Sequence, residues 1–305
     1  MEKRYVGNTG ITVAPLAFGG NVFGWTVDES LSFQLLDAFV DAGFNLIDTA
    51  NSYSSWVPGN KGGESETIIG NWLRKSGKRE QVVLATKVGS DMGGGRNDLS
   101  RGHILQQVEN SLRRLRTDYI DLYQSHYDDP LTPMEETMET YAHLVKQGKV
   151  RAIGASNFSA ERLLQALQIS KERGYPAYQC LQPEYNLYDR AVYERELASL
   201  VLERGLSVIS YFSLANGFLT GKYRSDADLS KSPRRESIKK YLNARGDRVL
   251  KALDEVAVPY SSCFSITGLA DCASWYYSSH CQYYKRRAAS GTSGCYQVTT
   301  GPGFD

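Results

Sequence analysis

The chain has almost no net charge: 35 Lys and Arg against 34 Asp and Glu leave +1 over 305 residues. That balance excludes the basic footprint of a nucleic-acid binder and the polybasic segment of a membrane-surface protein. Long apolar runs are also lacking, and none approaches the roughly 18 uninterrupted residues that a membrane helix requires. Met1-Glu2-Lys3-Arg4 leads into no apolar signal core, so a cytoplasmic location is expected, with neither nucleic acid nor membrane as partner. Cysteine is scarce and uneven: Cys180 stands alone in the body, while Cys263, Cys272, Cys281 and Cys295 all follow Pro259. These contain no Cys-x-x-Cys pair and have only His280 nearby, so no metal site is expected. A disulfide framework is not expected either without a secretory signal. What remains is 41% hydrophobic and 23% charged residues with 28 glycines, the composition of a globular protein with a real core.

Apolar strand-like runs alternate with amphipathic stretches up to residue 257. Strands are predicted over 15–18, 45–48, 82–87, 119–124, 150–155, 178–182 and 206–210. The helices between them have readable ends. Asp28 caps one that stops at Gly43, Thr132-Pro133 opens one closed at Gly148, and Ser159 opens one closed at Gly174. Ile104, Val108, Leu112 and Leu115 repeat at helical spacing over 101–116. Continuous apolar strands alternating with helices mean a parallel sheet covered by helices, either a closed eight-stranded barrel or an open doubly wound sheet. Residues 4–13, with the turn Asn8-Thr9-Gly10, read as a hairpin ahead of the first strand.

In either architecture the reactive residues belong at the carboxyl ends of strands. Asp48, Lys87 and His126 end or follow such runs, and Tyr53 lies in the loop after Asp48. Each alone has an ordinary reading as a turn cap, a surface tyrosine, a snorkelling lysine or a loop histidine.

Taken together they sit in a series of motifs: Gly43-Phe44-Asn45-Leu46-Ile47-Asp48-Thr49-Ala50 with Tyr53, Gly63-Glu64-Ser65-Glu66, Ala85-Thr86-Lys87, Asp118-Tyr119-Ile120-Asp121-Leu122-Tyr123 with His126, Ile153-Gly154-Ala155-Ser156-Asn157-Phe158, Gln182-Pro183-Glu184-Tyr185-Asn186 and Leu219-Thr220-Gly221-Lys222-Tyr223. This series resembles the aldo-keto reductase superfamily over about residues 3–257. The resemblance implies an α/β fold, a (β/α)8 TIM barrel with an N-terminal hairpin, and NADPH-dependent reduction of a small aldehyde or ketone. It implies Tyr53 as proton donor, Lys87 as the cation beside it, Asp48 as the anchor of Lys87, and His126 as hydrogen-bond donor to the carbonyl oxygen. A tyrosine has an unperturbed pKa of about 10, so Lys87 is expected to favour its ionised form. The same resemblance assigns NADP(H) to Ser156, Asn157 and Gln182 at the nicotinamide carboxamide and to Tyr211 stacked on the ring. The segment containing Ser213, Leu214, Gly217 and Leu219 would wrap the pyrophosphate, with Lys222 as charge partner. Ser213 stands where the family often has proline.

After Ala257 the resemblance stops. The expectation is an incomplete barrel over 1–258 and an atypical, disordered tail over 259–305, with the eighth strand and last helix missing or replaced. Read one base later, the codons of residues 275–281 permit Gly-Ile-Thr-x-Pro-Ile, the last-strand pattern of the family. A frameshift between about residues 258 and 268 would account for the ending, and an unclosed barrel would be destabilised with weak cofactor affinity. Two other readings compete: a non-catalytic nicotinamide-binding regulatory subunit, and a Schiff-base enzyme using Lys87 as nucleophile. Gly93-Gly94-Gly95 lacks the Gly-Lys-Ser/Thr of a phosphate loop. Substrate recognition is expected from loops carrying Trp25, Trp56 and Asp128. The oligomeric state is not readable.

Overall fold

A computed structural model describes residues 2–257 and 277–281. The hairpin pairs β1 (Arg4–Tyr5) with β2 (Thr12–Val13). Then come the barrel strands β3 (Leu16–Gly19), β4 (Leu46–Asp48), β5 (Val83–Val88), β6 (Ile120–Ser125), β7 (Val150–Ser156), β8 (Cys180–Gln182), β9 (Ser207–Ser210) and β10 (Tyr277–Cys281). All are parallel, and each pairs with the next. The observed strands fall within about two residues of those expected from apolar runs, the usual scatter of element ends.

Helices cover the outside: α1 (Glu29–Asp41), α2 (Glu64–Ser76), α3 (Arg101–Leu115), α4 (Met134–Lys146), α5 (Ala160–Arg173), α6 (Ala198–Glu203), α7 (Arg235–Lys239) and α8 (Ala244–Ala257). Their ends obey local chemistry. Asp28 Oδ1 accepts from Leu31 N at 2.8 Å, Ser159 Oγ from Arg162 N at 3.2 Å, and Gly174 closes α5 in the left-handed region. At Gly70 a Cβ would lie 2.0 Å from the Arg114 carbonyl oxygen, so only glycine lets α2 approach the end of α3 this closely.

The closing strand corrects one expectation. β10 pairs with β9 through Tyr277 and Val208 and with β3 through His280 and Ala17, so the barrel is closed and its first and last strands are not left as open edges. The eighth place is filled from the atypical tail. A parallel ladder is made by backbone N–H and C=O groups and so does not require the family's side-chain pattern. The expectation of a lost last helix and of disorder elsewhere in 259–305 lies outside the described residues.

Strand alternation sorts the barrel into layers. Leu46, Ala85, Leu122, Ala152 and Cys180 join Val6, Ile11 and Val13 of the hairpin in an apolar cluster inside the barrel. Ile47, Leu84, Tyr123, Ile153 and Leu181 join the larger cluster shared with the helices. The next inward positions are Asp48, Lys87, Gln124 and Gln182, all buried. The chain therefore changes from apolar to polar filling two residues along each of these strands.

Candidate active site

Asp48, Lys87, Tyr53 and His126 are brought together at the carboxyl end of the barrel. Lys87 is fully buried, and its Nζ donates to Asp48 Oδ2 at 2.5 Å, to Thr49 O at 2.9 Å and to Tyr53 OH at 2.8 Å. Those three bonds use all three ammonium protons. A lysine so engaged and so covered offers no lone pair to a substrate, which argues against the Schiff-base reading. Asp48 is matched on its other oxygen: Oδ1 accepts from Gln182 Nε2 at 3.0 Å and from Gln124 Nε2 at 3.2 Å.

Tyr53 lies above this group, half-buried, with its hydroxyl between Lys87 and Asp48 Oδ2, the latter at 3.4 Å. Its ionisation departs from the sequence expectation. Burial, and after it the Asp48 charge, push the Tyr53 phenol well above its usual value. Lys87 is held close by a carboxylate, and that carboxylate opposes a phenolate at the same hydroxyl. Tyr53 is thus a protonated phenol in the resting site, with a cation in place to stabilise the phenolate as it forms. Burial also lowers the Lys87 ammonium from its ordinary value, against the pull of Asp48.

His126 packs edge to face with Tyr53 at 5.8 Å between ring centroids, and its Nδ1 lies 3.3 Å from Ser52 Oγ. Burial, with Lys87 second, holds the imidazole down to about 3, so it is neutral across the ordinary pH range. A hydrogen bond donated by Ser52 to Nδ1 would leave the ring proton on Nε2, available to a ligand in the cavity.

These groups open on a cavity of 490 Å³ lined also by Trp56, Tyr127, Ser156, Asn157, Gln182, Tyr211 and Phe212. Ser156 Oγ donates to Gln182 O at 2.8 Å, Asn157 Nδ2 donates to His126 O at 2.9 Å, and Tyr211 OH donates to Asn157 Oδ1 at 2.7 Å. Asn157 holds φ of 57°, with Phe212 at 55°, Ala215 at 48° and Asn216 at 57°. Such left-handed non-glycine residues are costly, of order 1–3 kcal/mol each, and cluster where backbone is shaped for a ligand.

The remaining cofactor candidates divide. Ser213 and Gly217 lie in the tight loop after β9, and Lys222 Nζ would be 3.8 Å from a Cβ on Gly217. Arg234 Nη1 donates to Asn216 Oδ1 at 3.3 Å on the same loop. A tight loop of turned peptide groups flanked by two cations suits a pyrophosphate. Leu219 is fully buried in a satellite cluster with Phe218, Tyr223, Tyr241 and Leu250, and Leu214 packs against that cluster. Their side chains hold the loop in place, leaving only their backbone for a ligand.

Sequence reasoning missed Gln124, which carries no motif of its own; the strand period, continued one step past Leu122, is the signal that finds it. Two other segments have partners within the chain. Asp128 is clasped by Arg162 Nε at 2.7 Å and Nη2 at 2.8 Å, which occupies it within the chain. The backbone amides of Gly93, Gly94 and Gly95 all donate to Asp91 Oδ1, so the glycine run forms an aspartate-centred turn. Trp25 meets Trp56 edge to face at 5.7 Å and supports the aromatic wall from behind.

A closed parallel barrel with a phenol, an ammonium–carboxylate pair and a neutral imidazole around one cavity defines a (β/α)8-barrel oxidoreductase acting on carbonyl groups. The chain belongs to the aldo/keto reductase family, whose family model matches residues 15–274. It is similar to the aldo-keto reductase YhdN of Bacillus subtilis, 37% identical over 263 residues that cover 84% of this chain and 75% of that protein. It is also similar to the uncharacterized oxidoreductase YrpG of the same organism, 39% identical over 249 residues, 79% of this chain and 75% of that protein. A third relative is a probable voltage-gated potassium channel subunit beta of rice (Oryza sativa subsp. japonica), 35% identical over 227 residues, 73% of this chain and 67% of that protein. Nicotinamide cofactors are general to the family, and no described helix is long and apolar enough to cross a membrane.

Proposed function

We propose that the chain reduces a small aldehyde or ketone with NADPH, with Tyr53 as general acid. The observation that carries this reading is the Tyr53 hydroxyl, protonated, 2.8 Å from Lys87 Nζ and facing the cavity. When bound, a reduced nicotinamide held by these residues would supply hydride to the carbonyl carbon. As charge builds on the carbonyl oxygen, Tyr53 hands it the phenolic proton, and Lys87 stabilises the phenolate left behind. His126 donates to the same oxygen from Nε2 and orients it. Asp48 keeps Lys87 charged and in place.

The cavity residues fit the cofactor. Ser156, Asn157 and Gln182 offer an array of amide and hydroxyl groups to the carboxamide, and Tyr211 a flat ring to the nicotinamide. Ser213, Leu214, Gly217 and Leu219 contribute backbone to the pyrophosphate, with Lys222 beside them. Preference for the 2′-phosphate of NADPH and a cytoplasmic location are part of this reading.

The test is NADPH oxidation by the purified chain with a reactive aromatic aldehyde, run beside Tyr53→Phe. Turnover lost in the variant supports the reading, and equal turnover in both removes Tyr53 from the chemistry. The rice relative favours one second reading, a nicotinamide-binding regulatory subunit. Tight NADPH binding without turnover on any carbonyl would select it.

A further inference from the structure

Gln124 is wholly buried below the cavity and has no place in the chemistry so far described. Its amide has a defined orientation. Nε2 points to a carboxylate, Asp48 Oδ1 at 3.2 Å, while Oε1 receives Cys180 Sγ at 3.7 Å and Gln182 Nε2 at 3.5 Å. A reversed amide would set its oxygen against the Asp48 carboxylate and its N–H groups against other donors. Barrel geometry makes room for this arrangement. Lys87 and Gln124 are register partners across β5 and β6, and Gln124 and Gly154 across β6 and β7. A Cβ on Gly154 would lie 2.5 Å from Cys180 Sγ and 3.2 Å from Gln124 Cγ, so the glycine leaves the volume that both side chains fill.

The consequence falls on Gln182. Its Nε2 carries two protons, and the two acceptors nearby, Asp48 Oδ1 at 3.0 Å and Gln124 Oε1, take both. Gln182 lines the cavity, and its Oε1 accepts no hydrogen bond from the described residues. The amide end offered to a ligand is therefore the carbonyl oxygen, which demands a donor. The nicotinamide carboxamide has one in its N–H2 group.

We infer that Gln124 is a positioning residue: with Asp48 it fixes the amide of Gln182 so that an acceptor faces the cavity, selecting a cofactor ring that bears an N–H donor. The inference rests on the reading of Gln182 as a nicotinamide contact. Without Gln124, Asp48 holds one Gln182 proton and the other has no partner, so the amide can turn and present N–H instead.

The experiment compares binding of NADPH with its 3-acetylpyridine analogue, which keeps the ring carbonyl and replaces the amide nitrogen by methyl. Affinities are read by quenching of intrinsic fluorescence, without turnover. The native chain should favour NADPH by about 10-fold or more, the expected effect of leaving one buried acceptor unpaired. Gln182→Met should lower this ratio to near unity. Gln124→Met, and Gln124→Leu as a second variant without an amide acceptor, should lower it to within about 3-fold of unity, and Gln124→Met should add little in a Gln182→Met background.

A native ratio near unity, or no NADPH binding at all, overturns the reading of Gln182 and this inference with it. A native ratio that Gln182→Met abolishes but either folded Gln124 variant retains overturns this inference alone. Thermal melts of the unliganded proteins identify which variants are folded. Loss of affinity for both cofactors in equal proportion would mark Gln124 as structural only, and would also overturn the inference.

Discussion

The barrel buries a carboxylate at each of its ends, and the two are used differently. Asp121, near the start of β6, receives Leu84 N at 2.9 Å and the guanidinium groups of Arg79 at 2.9 Å and Arg151 at 2.5 Å. Arg79 reaches on to the Tyr119 carbonyl, and Arg151 is half exposed, so the pair joins neighbouring strands while the charge is shared with water. Asp48, at the end of β4, is matched from within: Lys87 is as buried as it is, and the amides beside it belong to Gln124 and Gln182. One carboxylate is tied off by an excess of cations from outside. The other holds a single cation inside the protein, next to a phenol that faces a cavity. The amino end is arranged to hold strands together, and the carboxyl end to keep a charge poised in a place from which water is largely excluded.

That contrast can be broken in order of effect. Tyr53→Phe should lower turnover by about 10²–10⁴-fold, the range for a general acid, with an unchanged melting temperature because the ring remains. Lys87→Met should lower turnover by about 10²-fold or more and also destabilise the fold by about 3–5 kcal/mol, since it leaves the Asp48 charge buried alone; urea titration measures the second effect. Asp121→Asn should show the opposite division, a loss of about 1–3 kcal/mol in the same titration with turnover within about 2-fold of the parent. A large fall in turnover there would erase the distinction between the ends.

A fourth test uses pH. His126 has a folded value of about 3 against about 6.5 in the unfolded chain, so between these values the unfolded state binds the extra proton. Stability contributed by neutral His126 is present above pH 6.5 and is lost progressively as pH falls toward 3. His126→Gln should flatten the dependence of the urea midpoint on pH across that window, and an unchanged slope would show that the imidazole is not held neutral. The smallest effect belongs to Arg151→Ala, expected at under about 1 kcal/mol because that side chain is half in water.

The strands of this barrel were largely readable in advance. Apolar runs such as Asn45-Leu46-Ile47 and Val82-Val83-Leu84 located the strands, and the residues just past them, Asp48 and Lys87, proved to share one site. Asp28, Ser159 and Gly174 marked helix ends because capping chemistry is local. Gln124 was harder to find, since its function depends on register between three strands that a linear reading does not supply. The direction of the Tyr53 shift was misjudged for a related reason. The family resemblance places both the Lys87 cation and its Asp48 anchor near Tyr53, but only three dimensions show that burial and the Asp48 charge prevail at the phenol. Closure by Tyr277–Cys281 was the least readable element, because its pairing is carried by backbone and not by an apolar pattern.

The hairpin has a consequence for how the chain assembles. Gly7 N donates to Ser207 Oγ, Ser207 Oγ donates to Tyr5 O, and Asn8 N donates to Gln179 Oε1, so residues 5–8 are bonded to the segments that form β8 and β9. Val6, Ile11 and Val13 meanwhile fill the floor of the barrel. The hairpin must wait through some 200 residues of synthesis for its partners. Its docking is a late event of folding, and contacts this distant in sequence form slowly. Deleting residues 2–13 should therefore speed the loss of structure much more than it slows the first collapse.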